Sequence, residues 1–404
     1  MAHSLLTTSL ILDRALAVLS QSPVFLDKIN TQYDSRFAGK GAKVGDTVSV
    51  RVPMRAVVRD GRTMSIQDQT DKTIPVAIDK YKGVDTGATS LEMALDIDDY
   101  QEQFIDTKIP DLIAAVEADV LATCIPRVFH TAGDFGLYND VSTVLAAGGI
   151  LDNNLAPRSN RCMLTNVAGG QQMVNALTGF FNPASQISEQ YREGLMARNT
   201  LGFDWYQSTL LSSRTRGSAN TAYETATGGA VLTSVLSTDI STIAIDTGAG
   251  TFAVGDIFTI EGVNAVHPQT KADLGYLKQF TVRVASAGGT VTLSFSPAIE
   301  ASGPGQNVSA TPGADKDVLP LGTASTAYAQ SLAFHKDAFY FVTADLPMPQ
   351  GMGVNCAQKT YKGITLRFMN GFDIANDMFV SRFDIAYGAG VLRPELACRI
   401  QHTP

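Results

Sequence analysis

The period of apolar and polar positions changes several times along this chain. Leu12, Leu16 and Leu19 recur at helical spacing and Pro23 ends the pattern, which predicts a short amphipathic helix. INTQYDSRFAGKGAKVGD follows, rich in Gly and charge and without a period, as a loop or extended arm is. In TVSVRVP the residues Val48, Val50 and Val52 alternate onto one face and predict a strand. From Met54 to Leu95 the chain is polar and extended, and TIPVAIDKYKGVDTGATS reads as the returning arm of a long hairpin. With so little to bury, that hairpin needs a neighbour, in its own chain or in another. Next, ALDIDDYQEQFIDTKIPDLIAAVEADVLATCI puts Ile113, Val116, Val120 and Cys124 on one stripe with Pro110 in a first turn, which predicts a long helix.

Residues 140–177 predict a small α/β layer: a helix over DVSTVLAAGGIL, the loop NNLAPRSN, a strand RCMLTN and a second helix over VAGGQQMVNAL. At about Ala230 the texture turns to Thr, Ser, Gly and Val with almost no helical period, and it turns back near Thr326. TSVLSTDISTIAID, DIFTIEG, QFTVRVAS and TVTLSFS are four strand-like runs parted by Gly or Asp turns, as in a small barrel or sandwich. The flanks TRGSANTAYETATGG and SGPGQNVSATPGADKD have the composition of linkers, so residues 228–325 read as an inserted domain. SLAFHKDAFYFVTADLP and ITLRFMNGFDIANDMFVSRFDIAYGAGVLRPELACRI then supply the strands that complete the host domain.

Composition narrows the function. The 404 residues are enough for two or three structural units, and only 17% are charged, which fits a chain that hides surface against partners. A net charge of −8 with no Lys/Arg cluster argues against a nucleic-acid-binding surface. Asp13 and Arg14 interrupt the apolar N-terminus, which lacks the basic start of a signal peptide, and no apolar run is long enough to span a membrane.

No catalytic constellation emerges. Cys124, Cys162, Cys356 and Cys398 are far apart and read as buried free thiols. His3, His130, His267, His335 and His402 are isolated. The run Asp96, Asp98, Asp99, Glu102 and Asp106 has Gln101 and Thr107 where a calcium loop needs Gly and Glu, and reads as a solvated lead into a helix. Gly39-Lys40-Gly41 and Gly303-Pro304-Gly305 do not form a phosphate loop. Trp205, with Phe203 and Tyr206 beside it, reads as a core or interface anchor. What remains is a self-assembling structural protein, with no cofactor and no enzymatic role expected.

In this order the parts resemble the major capsid proteins of tailed double-stranded DNA bacteriophages, whose fold is the Hong Kong 97 fold. Residues 1–45, 46–95 and 108–128 match that family's arm, extended loop and spine helix. NNLAPRSNRCMLTN, YREGLMARNTLGFDWYQST with Gly202, Phe203 and Asp204, and FDIAYGAGVLRPELACRI with Arg393, Pro394 and Glu395 are similar to family segments. GDIFTIEGVNAV followed by QTKADLGYLKQFTV is similar to the extra β-barrel-like domain of the short-tailed-phage branch.

The resemblance implies an α+β Hong Kong 97-like capsid fold with an inserted β-barrel-like domain. Its parts are an arm (1–45), an extended hairpin loop (46–95), a spine helix and peripheral domain (96–135), an axial α/β domain (136–227), the inserted domain (228–325) and return strands (326–404). It implies self-assembly into pentamers and hexamers of an icosahedral shell, with a scaffolding protein, a portal and packaged double-stranded DNA as partners and no membrane. The expected location is the virion capsid, assembled in the bacterial host cytoplasm. Lys271, Asp273 and Lys278 are the implied inserted-domain contacts to a neighbour, and Arg59, Arg62, Lys72, Lys80 and Lys82 the extended-loop contacts. Some relatives weld their shells through a Lys–Asn bond, but nothing marks a partner for Lys72, Lys80 or Lys82, so none is expected. An encapsulin-like compartment is the alternative within the fold, and a β-rich adhesin or carbohydrate-binding protein the alternative from another class.

Overall fold

The structure is a computed structural model that describes residues 23–31, 47–51, 56, 61–64, 66, 73–89, 106–133, 135, 141–176, 200–227, 232–235, 238–349, 355–361 and 364–402. The predicted N-terminal helix, Gly39-Lys40-Gly41 and most of the acidic run lie outside them. Along the chain come β1 (Thr47–Arg51), β2 (Thr73–Ala77), β3 (Lys80–Thr89), α1 (Asp106–Cys124), β4 (Thr131–Ala132), α2 (Val141–Asn153), β5 (Arg161–Thr165) and α3 (Val167–Ala176). Then follow β6 (Asp204–Gln207), β7 (Arg214–Thr215), β8 (Glu224–Thr225), β9 (Leu232–Val235), β10 (Ile240–Asp246), β11 (Ile257–Val266), β12 (Asp273–Val282), β13 (Val291–Ser296) and β14 (Val318–Pro320). The last are β15 (Ala327–His335), β16 (Phe339–Ala344), β17 (Asn355–Tyr361), β18 (Ile364–Asp373), β19 (Met378–Val391) and β20 (Ala397–His402).

Two compact units emerge, one within Met1–Val48, Val76–Leu121 and Phe339–Gly390, the other within Ser49–Pro75, Ala122–Ala338 and Val391–Pro404. In the first, β19 pairs with β18 on one side and with β3 over Met378–Tyr387 on the other, while β17 and β16 extend the sheet. The returning arm of the hairpin thus finds its neighbour in its own chain. Gly83 permits the close passage, since a Cβ there would lie 2.7 Å from the Asp384 carboxylate. Helix α1 forms where the stripe predicted it, with Ile113, Val116, Val120 and Cys124 all buried. Pro110 is not in the opening turn but inside the helix, which starts at Asp106. It leaves the Asp106 carbonyl without its helical N–H.

In the second unit β15 pairs with β20 and β5, and β6 lies parallel to β5 from Cys162↔Asp204 to Thr165↔Gln207. Helices α2 and α3 flank β5 in sequence, as the alternating pattern predicts. Gly202, at φ +83°, makes the turn that lets Phe203 bury and Asp204 start β6.

The same unit holds a β module with strand order β14-β11-β12-β13-β10-β8. This sheet closes on itself: Val318 N donates to Tyr223 O at 2.7 Å, Thr225 N to Lys316 O at 2.9 Å, and Glu224 bridges Asp317. Closure joins the β14 and β8 ends of this path, with β9 pairing β10 off it, and of the two sequence alternatives, barrel and sandwich, it is the barrel. Inside, Phe295 packs edge to face with both Phe258 and Phe280, the Phe280 and Phe295 centroids 5.1 Å apart. Two features differ from the sequence reading. TSVLSTDISTIAID holds two strands, β9 and β10, paired antiparallel. The closing strand β8 and the core residues Ala219 and Tyr223 lie upstream of residue 228.

The barrel therefore needs residues before 228. A fragment spanning 216–326 is expected to unfold cooperatively in thermal melts followed by circular dichroism. A fragment spanning 228–325, lacking β8 and fully buried Tyr223, should be weaker by at least about 3 kcal/mol, the cost of deleting a large buried aromatic. Equal melts would place β8 outside the cooperative unit.

Candidate functional site

The sequence marks no catalytic constellation, so the surfaces come first. Among the described residues no group of His, Cys, Asp and Glu could hold a metal ion, and no helix is long and apolar enough to cross a membrane. Cys124, Cys162 and Cys398 are buried and Cys356 partly so. Burial pushes the Cys398 thiol up to about 12, so it stays protonated. His130 is buried beside Asn154, and burial, with Lys278 nearby, drives its pKa far down. His267 Nδ1 accepts from Gln269 N and Thr270 N and so holds a loop. Trp205 is buried and donates to Thr200 O, as an anchor does.

The barrel loop between β11 and β12 is a built structure. Lys271 N donates to His267 O and His267 N to Ala272 O, which closes a tight turn. Lys271 Nζ reaches Pro304 O at 2.8 Å and Gln306 O at 3.1 Å, fastening this turn to the Gly303-Pro304-Gly305 loop. Asp273 is fully exposed; hydrogen bonds from Asn264 Nδ2 and Gly275 N hold its carboxyl below the usual range, so it presents a fixed negative charge. Lys278 differs from its two companions. It is only 8% exposed, and its ammonium sits 5.1 Å from the Phe129 ring centre in its own chain. The residue after it, Gln279, pairs through both amide atoms with the backbone of Thr131, at 2.8 and 3.1 Å. A side chain of the barrel thus plays the part of a strand beside β4.

Of the extended-loop lysines and arginines, Arg59 and Lys72 lie outside the described residues, and Arg62 is exposed. Lys80 and Lys82 turn to their own helix: Lys80 Nζ is 2.7 Å from Asp119 and Lys82 Nζ donates to Ala115 O. Tyr387 OH donates to the same Asp119 at 2.8 Å, and burial and Asp119 together raise the Tyr387 pKa. Burial alone would raise Asp119, but the bonds from Lys80 and Tyr387 outweigh it and hold its pKa below the usual 3.8. Two residues earlier, Glu117 accepts from Val24 N and Phe25 N, each at 3.1 Å, and binds the arm to the helix. Its burial raises its pKa against those two bonds. Arg393 Nε bonds Glu395 at 3.0 Å, and Pro394 opens a short helical turn before β20.

Sequence reasoning missed three exposed apolar spots. On the β18–β19 hairpin Phe372 stacks on Phe379 at 4.8 Å, with Ile374 87% exposed at the tip. Met64 and Ile66 stand out of the extended loop, and Leu145 out of α2. The signal for the hairpin was present in NGFDIANDMF, an Asn/Asp turn with apolar residues on both sides.

The family described as P22 coat protein, gene protein 5, matches residues 97–401. No curated protein matches the chain. Among solved structures, one from Mycobacterium phage Che8 is 13% identical, with a TM-score of 0.47 over 93% of this chain and 90% of its own. The capsid of Cyanophage P-SCSP1u is 12% identical, with a TM-score of 0.44 over 90% of this chain and 84% of its own. The CUS-3 coat protein I-domain is 26% identical over 25% of this chain and 96% of its own, with a TM-score of 0.21.

Asp119→Asn should cost about 1–2 kcal/mol at pH 7, since it removes a charge-assisted bond and a partly screened ion pair. A carboxylate held low stabilises above its unfolded pKa and loses that contribution as pH falls through the folded value. The gap between wild type and variant in urea unfolding should therefore narrow below the usual 3.8. A gap that stays constant down to about pH 2 would remove the carboxylate from this role.

Proposed function

This chain belongs to the P22 coat protein family, a major capsid protein of tailed phages whose copies associate into the icosahedral shell of the virion, and from that premise we propose which of its surfaces make the shell. The match over 97–401 carries the assignment, and the encapsulin-like alternative is not favoured. The fold is of the Hong Kong 97 type, with the closed barrel set into its α/β layer.

Contacts between copies run through three surfaces on this reading. The hairpin tip, with Phe372 and Ile374 exposed and Phe379 packed on Phe372, offers apolar area left open among the described residues, which is what an association core requires. Met64 and Ile66 do the same on the extended loop, beside Arg62. The barrel loop presents Asp273, with Lys271 bracing it, to a charged group on a neighbour, whereas Lys278 stabilises the barrel within its own chain. The inserted domain keeps its proposed role as a separate folding unit, with its start moved upstream to include β8.

The remaining partners follow from chemistry. With a net charge of −8 the chain has no excess of cations to grip DNA phosphates, so packaged DNA is enclosed rather than bound. A scaffolding protein and a portal complete the assembly, which takes place in the host cytoplasm, and the chain performs no catalysis.

Electron microscopy and sedimentation of assembly reactions test the surfaces. Ile374→Asp and Asp273→Lys should each cut the yield of closed shells at least tenfold. Thermal unfolding of the Ile374→Asp free subunit should stay within about 0.5 kcal/mol of wild type, as for other exposed positions, and the Asp273→Lys subunit should still unfold cooperatively. Normal shells from either variant would remove that surface from the proposal.

A further inference from the structure

At the foot of the barrel, positive charge is buried in excess. Asp256 is buried, and both of its oxygens are committed: Oδ1 accepts from Arg214 Nη2 at 3.1 Å, Oδ2 from Gly217 N at 3.0 Å and Ala253 N at 2.8 Å. Two further guanidinium groups lie in the same region without a carboxylate of their own. Arg216, 7% exposed, gives Nη2 to Ala219 O, and Arg399, 0% exposed, gives Nη2 to Gly255 O, the residue before Asp256. Among the described residues, Arg216 Nε and Arg399 Nε and Nη1 have no hydrogen-bond partner.

Arginine does not shed its proton to escape such a place. Burial, reinforced by Arg214, lowers the Arg399 pKa to about 9, which still leaves it charged at neutral pH. Among the described residues three cations here face one carboxylate, and buried unpaired ions are costly. Backbone carbonyls satisfy donors but do not neutralise charge. Gly255 keeps the region tight, because a Cβ there would meet Pro126 at 2.7 Å and Arg214 Nη1 at 2.9 Å.

A small enclosed cavity lies here, lined by Arg214, Arg216, Asp256, Tyr328 and Gln401 among others. Its size admits about one water-sized body, so a halide enters with a few tenths of an ångström of give from the arginine side chains in the wall, whereas phosphate, sulfate and organic carboxylates are far too large. Arg399 shares a face of β20 with Gln401, since the two are two residues apart on the strand. We propose that this cavity is a binding site for one small monovalent anion of chloride size, held by Arg216 with Arg214 and Arg399 around it, which balances the buried charge where the barrel joins the α/β layer.

The test uses the full-length coat protein as free subunits. Equilibrium urea unfolding is measured at constant ionic strength while sodium chloride replaces sodium gluconate, whose anion cannot enter the cavity. Above the dissociation constant, each tenfold rise in chloride should lower the unfolding constant about tenfold, as one site on the folded state requires. Arg216→Gln should flatten this dependence, and Arg216→Lys, which keeps the charge, should retain part of it. Crystals or frozen shells prepared in bromide should carry the ion's density beside Arg216. Identical unfolding in chloride and gluconate overturns the proposal, and because that comparison uses the wild type alone, it stands even if both variants fail to fold. Chloride dependence that survives Arg216→Gln, or density that refines as a water with bromide elsewhere, overturns it equally.

Discussion

Asp256 is the point on which the second unit turns. Its carboxylate gathers Arg214 from the host strand β7, Gly217 N from the segment that leaves that strand, and Ala253 N from the turn that begins β11. A buried carboxylate stripped of its partner costs about 3–5 kcal/mol, so these three pieces of chain are held in one arrangement rather than several. From there the barrel's other attachments are fixed in place: Gln279 on the edge of β4, Lys278 over Phe129, and Thr281 Oγ1 on Pro126 O at 2.9 Å. Backbone groups that a strand edge or chain end would leave open are met by barrel side chains.

The first unit solves a different problem. Strand β3 is polar and contributes few apolar side chains, so hydrophobic burial cannot hold it. It is held by a ladder with β19 and by two lysines fastened to α1. On the opposite face of that sheet's pairing, Arg367 and Arg382 converge on buried Asp384, at 2.7 and 2.9 Å. Strand β3 is therefore held in place by its partners while staying polar along its length.

What could be read from the sequence was what depends on local period. The stripe of α1, the strand RCMLTN between two helices and the alternation in TIAID are patterns over a few residues, and each formed where the pattern lay. Strand β8 is two residues, Glu224 and Thr225, and has no period to read; its pairing with Ile245 and Asp246 of β10 makes it a strand. The β9–β10 reversal is hard to read because Thr238 and Asp239 before β10 are neither Gly nor Pro, although Asp239 takes a positive φ of 58° there. Lys278 read as a loop charge because a lysine among polar residues is usually solvated, and the Phe129 ring it covers is far away in sequence. Arg214, Arg216, Asp256 and Arg399 are brought together by topology alone, so no spacing could announce them.

The closed barrel has one more consequence, for the host strands on either side of it. Thr215 pairs with Ala327 and Arg214 with Tyr328, and Arg216 N still reaches Thr326 O at 3.0 Å where the chain passes into the barrel. The insertion begins and ends side by side. Bringing β7 and β15 together across an open chain of this length would carry a loop-closure entropy that grows with the logarithm of its length. Because β8 and β14 join at the barrel's seam, that entropy is met within the module's own folding. To the α/β layer the whole insertion then behaves as a hairpin turn, and the barrel acts on its host as a cross-link does, without a covalent bond.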